Sequence, residues 1–303
     1  MSCDYAIILS ILLFIKQFFN VDVSENAIVV NDGDTLSTGN HEFVFATAPM
    51  VHWPEVIVSY DKLEKSIYSA DAFGSFGAIN GNLFDEGIDF EREYLDEARR
   101  YYTNIVGKYG VQVQMLLKKL SSMDVNSIRP LHGLIIKENI KKFVEKYDIW
   151  SKYESELNSV LIAYTSVYGG TKNAADILAS KLAERGIKGI KMYDVSQTHY
   201  SYILSDVFKY SNIVLATTTY NMGIFESMEN LLHALAAHNM QNKKVALIQN
   251  GSWAPACGGL MKSMLEKLKN VDIIDESICI KSTLKEEQLD DINILADKIS
   301  STL

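Results

Sequence analysis

From Val160 onward, short apolar runs alternate five times with amphipathic stretches. No other feature restricts the possible fold as strongly. The runs are Val160–Tyr164 (VLIAY), Ile190–Val195, Ile213–Ala216, Val245–Gln249 (VALIQ) and Ile273–Ile280. Helices are predicted over Thr171–Arg185, Ser201–Tyr210, Ser227–His238, Gly258–Lys269 and Lys285–Ser300. In the first, Ala174, Leu178 and Leu182 share a face and Gly186 supplies the stop. Strands without polar alternation belong in a parallel sheet covered on both faces, and strand–helix alternation builds such a sheet. The predicted fold class of this half is therefore α/β, a doubly wound five-stranded parallel sheet. Ligands of such sheets sit outside the carboxyl ends of the strands, at the topological switch point. The loops after the first, third and fourth strands are the candidates.

The first loop reads TSVYGGT: Thr165, Ser166, Val167, Tyr168, Gly169, Gly170 and Thr171. Hydroxyls can bond phosphate oxygens, and glycines let backbone N–H groups approach closely. The following helix start offers free N–H groups and the positive end of its dipole to an anion. The alternative is a plain strand-to-helix turn with Thr171 as N-cap. The loop matches neither G-x-x-x-x-G-K-[ST] nor G-x-G-x-x-G. The second loop, ATTTYNMGIF, contributes Thr219, Tyr220, Asn221, Met222 and Gly223. The third, NGSWAPACGG, contributes Gly251, Ser252, Trp253, Ala256, Cys257 and Gly258. Tyr220 or Trp253 can stack on a flat ring while backbone N–H groups bond its edge. Cys257 has no cysteine near it in sequence and is read as a backbone-contacting residue, not a redox centre.

The earlier region is mixed. Short strands are predicted at Ala27–Val30, His41–Ala46, Val56–Tyr60, Ser66–Ala70 and Ser127–Leu131, with a turn at Asn31–Asp34. Helices are predicted at Phe90–Tyr109, Val111–Met123 and Lys137–Lys146, and Lys146–Asn158 reads as a short polar linker or domain edge. Three pieces, APMVHWPE (Ala48–Glu55), SADAFGSFG (Ser69–Gly77) and RPLHG (Arg129–Gly133), place His52, Asp71 and His132 in strand-end loops. A lone histidine is more often a hydrogen-bonded core or surface residue. Two imidazoles and a carboxylate in loops of one domain suit iron, zinc or manganese.

Charge and composition exclude several classes. The net charge of −9 argues against a nucleic-acid binder, which needs a basic face. Three cysteines far apart, Cys3, Cys257 and Cys279, make no disulfide framework and fit a reducing, cytoplasmic setting. Tyr5–Phe19 (YAIILSILLFIKQFF) has about ten apolar residues before Lys16, short of the ~20 that a membrane span needs. It also lacks the basic start and small-residue cleavage site of a signal peptide. A buried strand or helix is expected there, and a membrane role is not.

The S-V-Y-G-G-T loop looks like the FMN phosphate loop of flavodoxin-like domains, and the two later loops stand where flavodoxins grip the isoalloxazine ring. With APMVHWPE, SADAFG and PLHG ahead of them, the chain from about Asn20 to Leu303 resembles the flavodiiron proteins, or A-type flavoproteins. That family joins a metallo-β-lactamase-like domain, with a non-haem diiron site, to an FMN domain and reduces dioxygen or nitric oxide. The resemblance implies a partial metallo-β-lactamase-like αββα layer domain over 1–150 and a flavodoxin-like FMN-binding domain over 158–303. It makes His52 an iron ligand, Asp71 the carboxylate bridging both metals and His132 a ligand of the second iron, with no catalytic residue outside this site. Ser166–Thr171, Thr219–Gly223 and Gly251–Gly258 would hold FMN. A small redox donor such as rubredoxin and a head-to-tail homodimer are the implied partners.

One departure matters. The family's H-x-E-x-D-H motif does not occur in the 303 residues, which leaves three donors for two metals. The expectation is an FMN-binding electron-transfer flavoprotein with an incomplete metal site, N-terminally truncated, whose residues 1–20 correspond to a strand–helix piece that is interior in the family and is expected to be exposed here. The alternatives are a working O2 or NO reductase, if the missing segment is supplied, and a non-catalytic dimerisation or interaction module.

Overall fold

A computed structural model describes residues 5–77, 81–275 and 277–303. Cys3 lies outside the described residues. The chain divides into two compact units, Met1–Lys152 and Tyr153–Leu303.

The first unit opens with strand β1 (Tyr5–Ile7), helix α1 (Leu9–Phe19) and strand β2 (Ala27–Val29), which pairs in parallel with β1. The apolar run is thus a strand and a helix. The expectation of burial is corrected for the helix: no residue of α1 is buried, and Leu13 and Phe19 are 72% and 73% exposed. Apolarity favours burial only where another element supplies a covering surface, and among the described residues the cover of α1 is partial: Ile11, Leu12, Phe14 and Ile15 are half-buried. No helix of the described residues is long and apolar enough to cross a membrane.

A five-stranded sheet follows, in the order β3 (Thr35–Ser37), β4 (Glu42–Thr47), β5 (Ile57–Asp61), β6 (Ser66–Tyr68) and β7 (Ser127–Arg129). Its first four strands are antiparallel, and β7 joins β6 in parallel. Strand β3 was not predicted. The predicted helix at Phe90–Tyr109 is broken into turns. Helix α2 (Leu95–Tyr101) lies between π-helical turns at Phe90–Tyr94 and Tyr102–Val106. Helix α3 (Gly110–Leu120) and helix α4 (Ile140–Ser151) complete the unit.

Helix α4 corrects the linker reading of residues 146–158, while the boundary between the two units, after Lys152, falls inside that stretch. Phe143, Tyr147 and Trp150, spaced four and three residues apart, form one stripe, and all three are fully buried. The helix therefore runs through Lys146 to Ser151. These rings pack with Phe73, Phe90, Tyr94 and Tyr102, the closest pair being Phe73 stacked on Tyr147 at 4.3 Å. The Tyr147 hydroxyl accepts the Phe73 N–H at 2.6 Å, which ties the loop carrying Asp71 to this core.

The second unit runs β8 (Leu157–Tyr164), α5 (Gly170–Glu184), β9 (Lys191–Asp194), α6 (Tyr200–Lys209), β10 (Tyr210–Tyr220) and β11 (Gly223–Ile224). It continues through α7 (Glu226–Ala237), β12 (Lys243–Asn250), α8 (Cys257–Leu265), β13 (Val271–Ile273), β14 (Ile278–Ile280) and α9 (Leu289–Ser300). The sheet order is β13-β12-β10-β8-β9, parallel throughout, with β11 turned back antiparallel on β10. The predicted fifth strand, Ile273–Ile280, is two short strands, both paired with β12. Val160 and Ile162 of β8 pack with Ala174, Leu178 and Leu182 of α5 and with Ile292, Leu295 and Ile299 of α9. The intervening Leu161 and Ala163 are fully buried as well. Successive strand residues point to opposite faces, so both faces are covered. The order of connections reverses between β8 and β10, which makes the carboxyl ends of those strands the switch point.

Lys243 opens β12 with its ammonium inside this unit. Its Nζ donates to Ser155 Oγ at 2.6 Å, to the Tyr210 carbonyl at 2.8 Å and to the Phe208 carbonyl at 3.2 Å. Burial pushes its pKa down to about 7 from the ordinary 10.5, with Glu156 acting in the opposite sense. Between those values the unfolded chain carries a proton that the folded chain lacks. Stability therefore rises with pH across this window, and the full penalty remains below it. The slope from one such group is at most ~1.4 kcal/mol per pH unit. Urea unfolding of Lys243→Met from pH 7 to 10 is expected to lack this slope. An unchanged slope would assign it to other groups.

Candidate functional site

An open cleft of about 620 Å³ lies at the carboxyl ends of the second unit's strands. Its floor is the loop from β8 to α5. Gly169 holds φ +86° as the residue before the helix, a conformation that suits glycine, so α5 starts at Gly170 and not after a Thr171 cap. Ser166 Oγ is buried with no hydrogen-bond partner. An orphaned buried hydroxyl costs about 1–3 kcal/mol, so its placement at a helix N-terminus marks a position where a ligand acceptor belongs. Gly170 sits so close to the loop after β14 that a Cβ there would overlap the Ser282 carbonyl oxygen.

The second wall is the β10–β11 hairpin. Asn221 and Met222, at φ +48° and +61°, form its two-residue turn, which holds Tyr220 half-exposed against the Phe225 ring at 5.8 Å. The third wall is the loop after β12, with Trp253 94% exposed. No Lys or Arg lines the cleft, and Glu226 is its one carboxylate among the described residues.

Of the sequence-predicted residues, Ser166, Val167, Tyr168, Gly170, Thr171, Thr219, Tyr220, Ser252 and Trp253 line the cleft. Thr165, Gly169, Asn221, Met222, Gly223, Gly251, Ala256, Cys257 and Gly258 lie outside this lining. The Thr165 hydroxyl is consumed by Thr217 Oγ1 at 2.6 Å inside the sheet. Thr219 Oγ1 accepts the Ala256 and Cys257 N–H groups at 2.9 and 3.2 Å, at the start of α8. Gly251 packs on Pro255, and Gly258 packs on the Gln249 side chain. The Cys257 thiol is buried against the Thr217 and Asn250 carbonyls at 3.6 and 3.8 Å, and burial raises its pKa.

Six lining residues were missed: Ser196, Thr218, Phe225, Glu226, Asn250 and Ser282. Asn250 opens the third candidate loop, directly after the predicted fourth strand, and Ser282 follows the predicted fifth strand. Extending the carboxyl-end rule to the opening residue of each loop and to the fifth loop would have found both.

In the first unit the structure brings His52, Asp71 and His132 to one cavity of about 430 Å³. His52 Nε2 lies 3.5 Å from Asp71 Oδ2, and His132 Nε2 lies 3.5 Å from Asp71 Oδ1. Two donors each about 2.1 Å from a shared ion lie about 3.0–3.5 Å apart. Each imidazole is therefore spaced as a co-ligand with its own oxygen of Asp71. Tyr101, at the end of α2, was missed from the sequence. Its hydroxyl donates to Asp71 Oδ1 at 3.2 Å, and burial, followed by the Asp71 charge, holds the phenol protonated well above its usual range. A second donor group, His41, Asp61 and Glu64, has its atoms within 4.8 Å of one another. It is a strand tie: His41 Nδ1 meets Asp61 Oδ2 at 2.7 Å, and Glu64 pairs with Arg129.

Comparison with known proteins assigns a family to each unit. The ODP family of beta lactamases matches residues 4–133, and the flavodoxin family matches residues 162–289. An uncharacterized protein of Methanocaldococcus jannaschii is 28% identical over 264 residues, which is 86% of this chain and 65% of that protein. The anaerobic nitric oxide reductase flavorubredoxin of Shigella flexneri is 26% identical over 267 residues, 87% of this chain and 54% of that protein. The chain thus spans less than two thirds of the length of these relatives. Among solved structures, rubredoxin oxygen:oxidoreductase from Desulfovibrio gigas superposes with a TM-score of 0.90 at 24% identity, over 98% of this chain and 74% of that one. The flavodiiron protein from Giardia intestinalis gives 0.90 at 19% identity, with the same coverage. At these identities the structures establish the fold.

Proposed function

The chain belongs to the flavodiiron proteins, a β-lactamase-type domain joined to a flavodoxin domain that binds FMN, and we propose that it works as an electron-transfer flavoprotein. The observation that carries this reading is the buried, unpartnered Ser166 hydroxyl beside the α5 start at the switch point. Bound FMN supplies reversible one- and two-electron redox chemistry. The Ser166 and Thr171 hydroxyls and the first N–H groups of α5 hold its phosphate without a cation. Tyr168, Tyr220 and Trp253 offer apolar faces for the ring. A small redox protein such as rubredoxin is the proposed electron donor, and a head-to-tail homodimer is the proposed assembly.

A dinuclear iron centre does not fit the three donors that meet in this cavity among the described residues. Sharing Asp71 leaves each metal one imidazole and one carboxylate oxygen, and vacant positions filled by water weaken binding. No O2 or NO reduction is therefore assigned to these residues. FMN titration of the full chain is expected to quench flavin fluorescence at one equivalent, with Kd below ~1 μM. Failure to bind FMN would overturn the electron-transfer reading. Anaerobic reconstitution with ferrous iron is expected to leave fewer than two irons per chain, and two tightly held irons would overturn the reading of an incomplete centre.

A further inference from the structure

Asn250, at the end of β12, is buried and joins three separate loops. Its Oδ1 accepts the Ser282 N–H at 3.0 Å, and its Nδ2 donates to the Ser282 carbonyl at 3.1 Å. A backbone N–H can only donate and a carbonyl can only accept. This pair therefore settles which end of the amide is oxygen, independently of how it was first placed. The remaining Nδ2 hydrogen points to Thr171 Oγ1 at 3.1 Å. Thr171 must then act as acceptor toward Asn250, and its own hydroxyl hydrogen is left over. Thr171 is buried, lines the cleft and has no second hydrogen-bond partner among the described residues.

We infer that Asn250 orients the Thr171 hydroxyl as a donor into the cleft and so makes the cleft select a phosphorylated flavin over its unphosphorylated form. A phosphate has only acceptor oxygens to offer, and a hydroxyl obliged to donate complements it. Ser166, whose buried hydroxyl in the same loop has no partner, is free to turn the same way. Asn250 is thus a positioning residue acting through Thr171. An aspartate at 250 could not donate to Thr171 and would draw its hydroxyl hydrogen back, removing the donor from the cleft.

This inference rests on the FMN reading, and the test separates the two by measuring FMN and riboflavin side by side on the full chain. Wild type is expected to bind FMN more tightly than riboflavin. Asn250→Asp should lower the FMN-to-riboflavin affinity ratio about ten- to hundredfold, the loss of one hydrogen bond to a charged group, with riboflavin binding retained. Thr171→Val should do the same, Thr171→Ser should restore the ratio, and Asn250→Asp should have a much smaller effect in the Thr171→Val background. An equal loss of both flavins in Asn250→Asp would mean a merely structural role and overturn the inference, as would an undiminished Asn250→Asp effect when Thr171 is already valine. If Asn250→Asp does not fold, the Thr171 pair decides, and an unchanged ratio in Thr171→Val overturns it. Wild type that binds neither flavin sinks the FMN reading itself.

Discussion

Gly170→Ala is expected to weaken FMN binding a hundredfold or more. The added Cβ would overlap the Ser282 carbonyl oxygen, with the carbonyl carbon at 3.1 Å and Asn250 Nδ2 at 3.4 Å. The obstacle is backbone, so no side-chain rotation relieves it. Either the α5 start or the loop after β14 must move, and the second route breaks the Asn250–Ser282 pair. Each lost hydrogen bond costs about 1 kcal/mol, and more where it leaves a buried group unpaired. The helix N–H groups would also leave the position where they meet an anion. Gly259→Ala is the control, because a Cβ there meets nothing within 4 Å. Fluorescence titration of the two variants is expected to separate them clearly. Equal affinities would show that the loop is not held as described.

Trp150→Ala is expected to destabilise the β-lactamase-type unit by ~3–5 kcal/mol, the usual cost of emptying a large buried aromatic site. Trp150 is fully buried between Tyr102 and Tyr147, at 5.3 and 5.6 Å between ring centroids. Removing it loosens Tyr147, whose hydroxyl carries the Phe73 N–H two residues from Asp71. Scanning calorimetry checks this, because FMN raises only the transition of the unit that binds it. The other transition should fall in the variant. A loss below about 1 kcal/mol would show that the aromatic cluster is not what supports that unit.

The alternation from Val160 onward was legible because it is local: each apolar run forms a strand and each amphipathic stretch a helix, wherever the rest of the chain lies. The carboxyl-end rule then placed the three cleft loops. Within a loop, sequence does not say which way a side chain turns. Thr165 has the residue type for a phosphate site, yet its hydroxyl is spent on Thr217, while Thr219 Oγ1 accepts two N–H groups at the start of α8. What Asn250 bonds to could not be read, because its partners Thr171 and Ser282 are 79 and 32 residues away. In the first unit, the predicted linker failed for the converse reason. Polar residues around Tyr147 and Trp150 hid a helix whose buried stripe is only three rings wide.

Sequence alone determined the parallel sheet, the position of its cleft and the three metal-type donors, since periodicity and residue chemistry are properties of short segments. The tertiary structure decided which hydroxyls remain free, how Asn250 orients Thr171, that each imidazole faces its own oxygen of Asp71, and that no residue of α1 is fully buried. Those facts depend on what stands opposite each group in space, and a hydrogen bond or a buried surface does not exist until its second partner is in place.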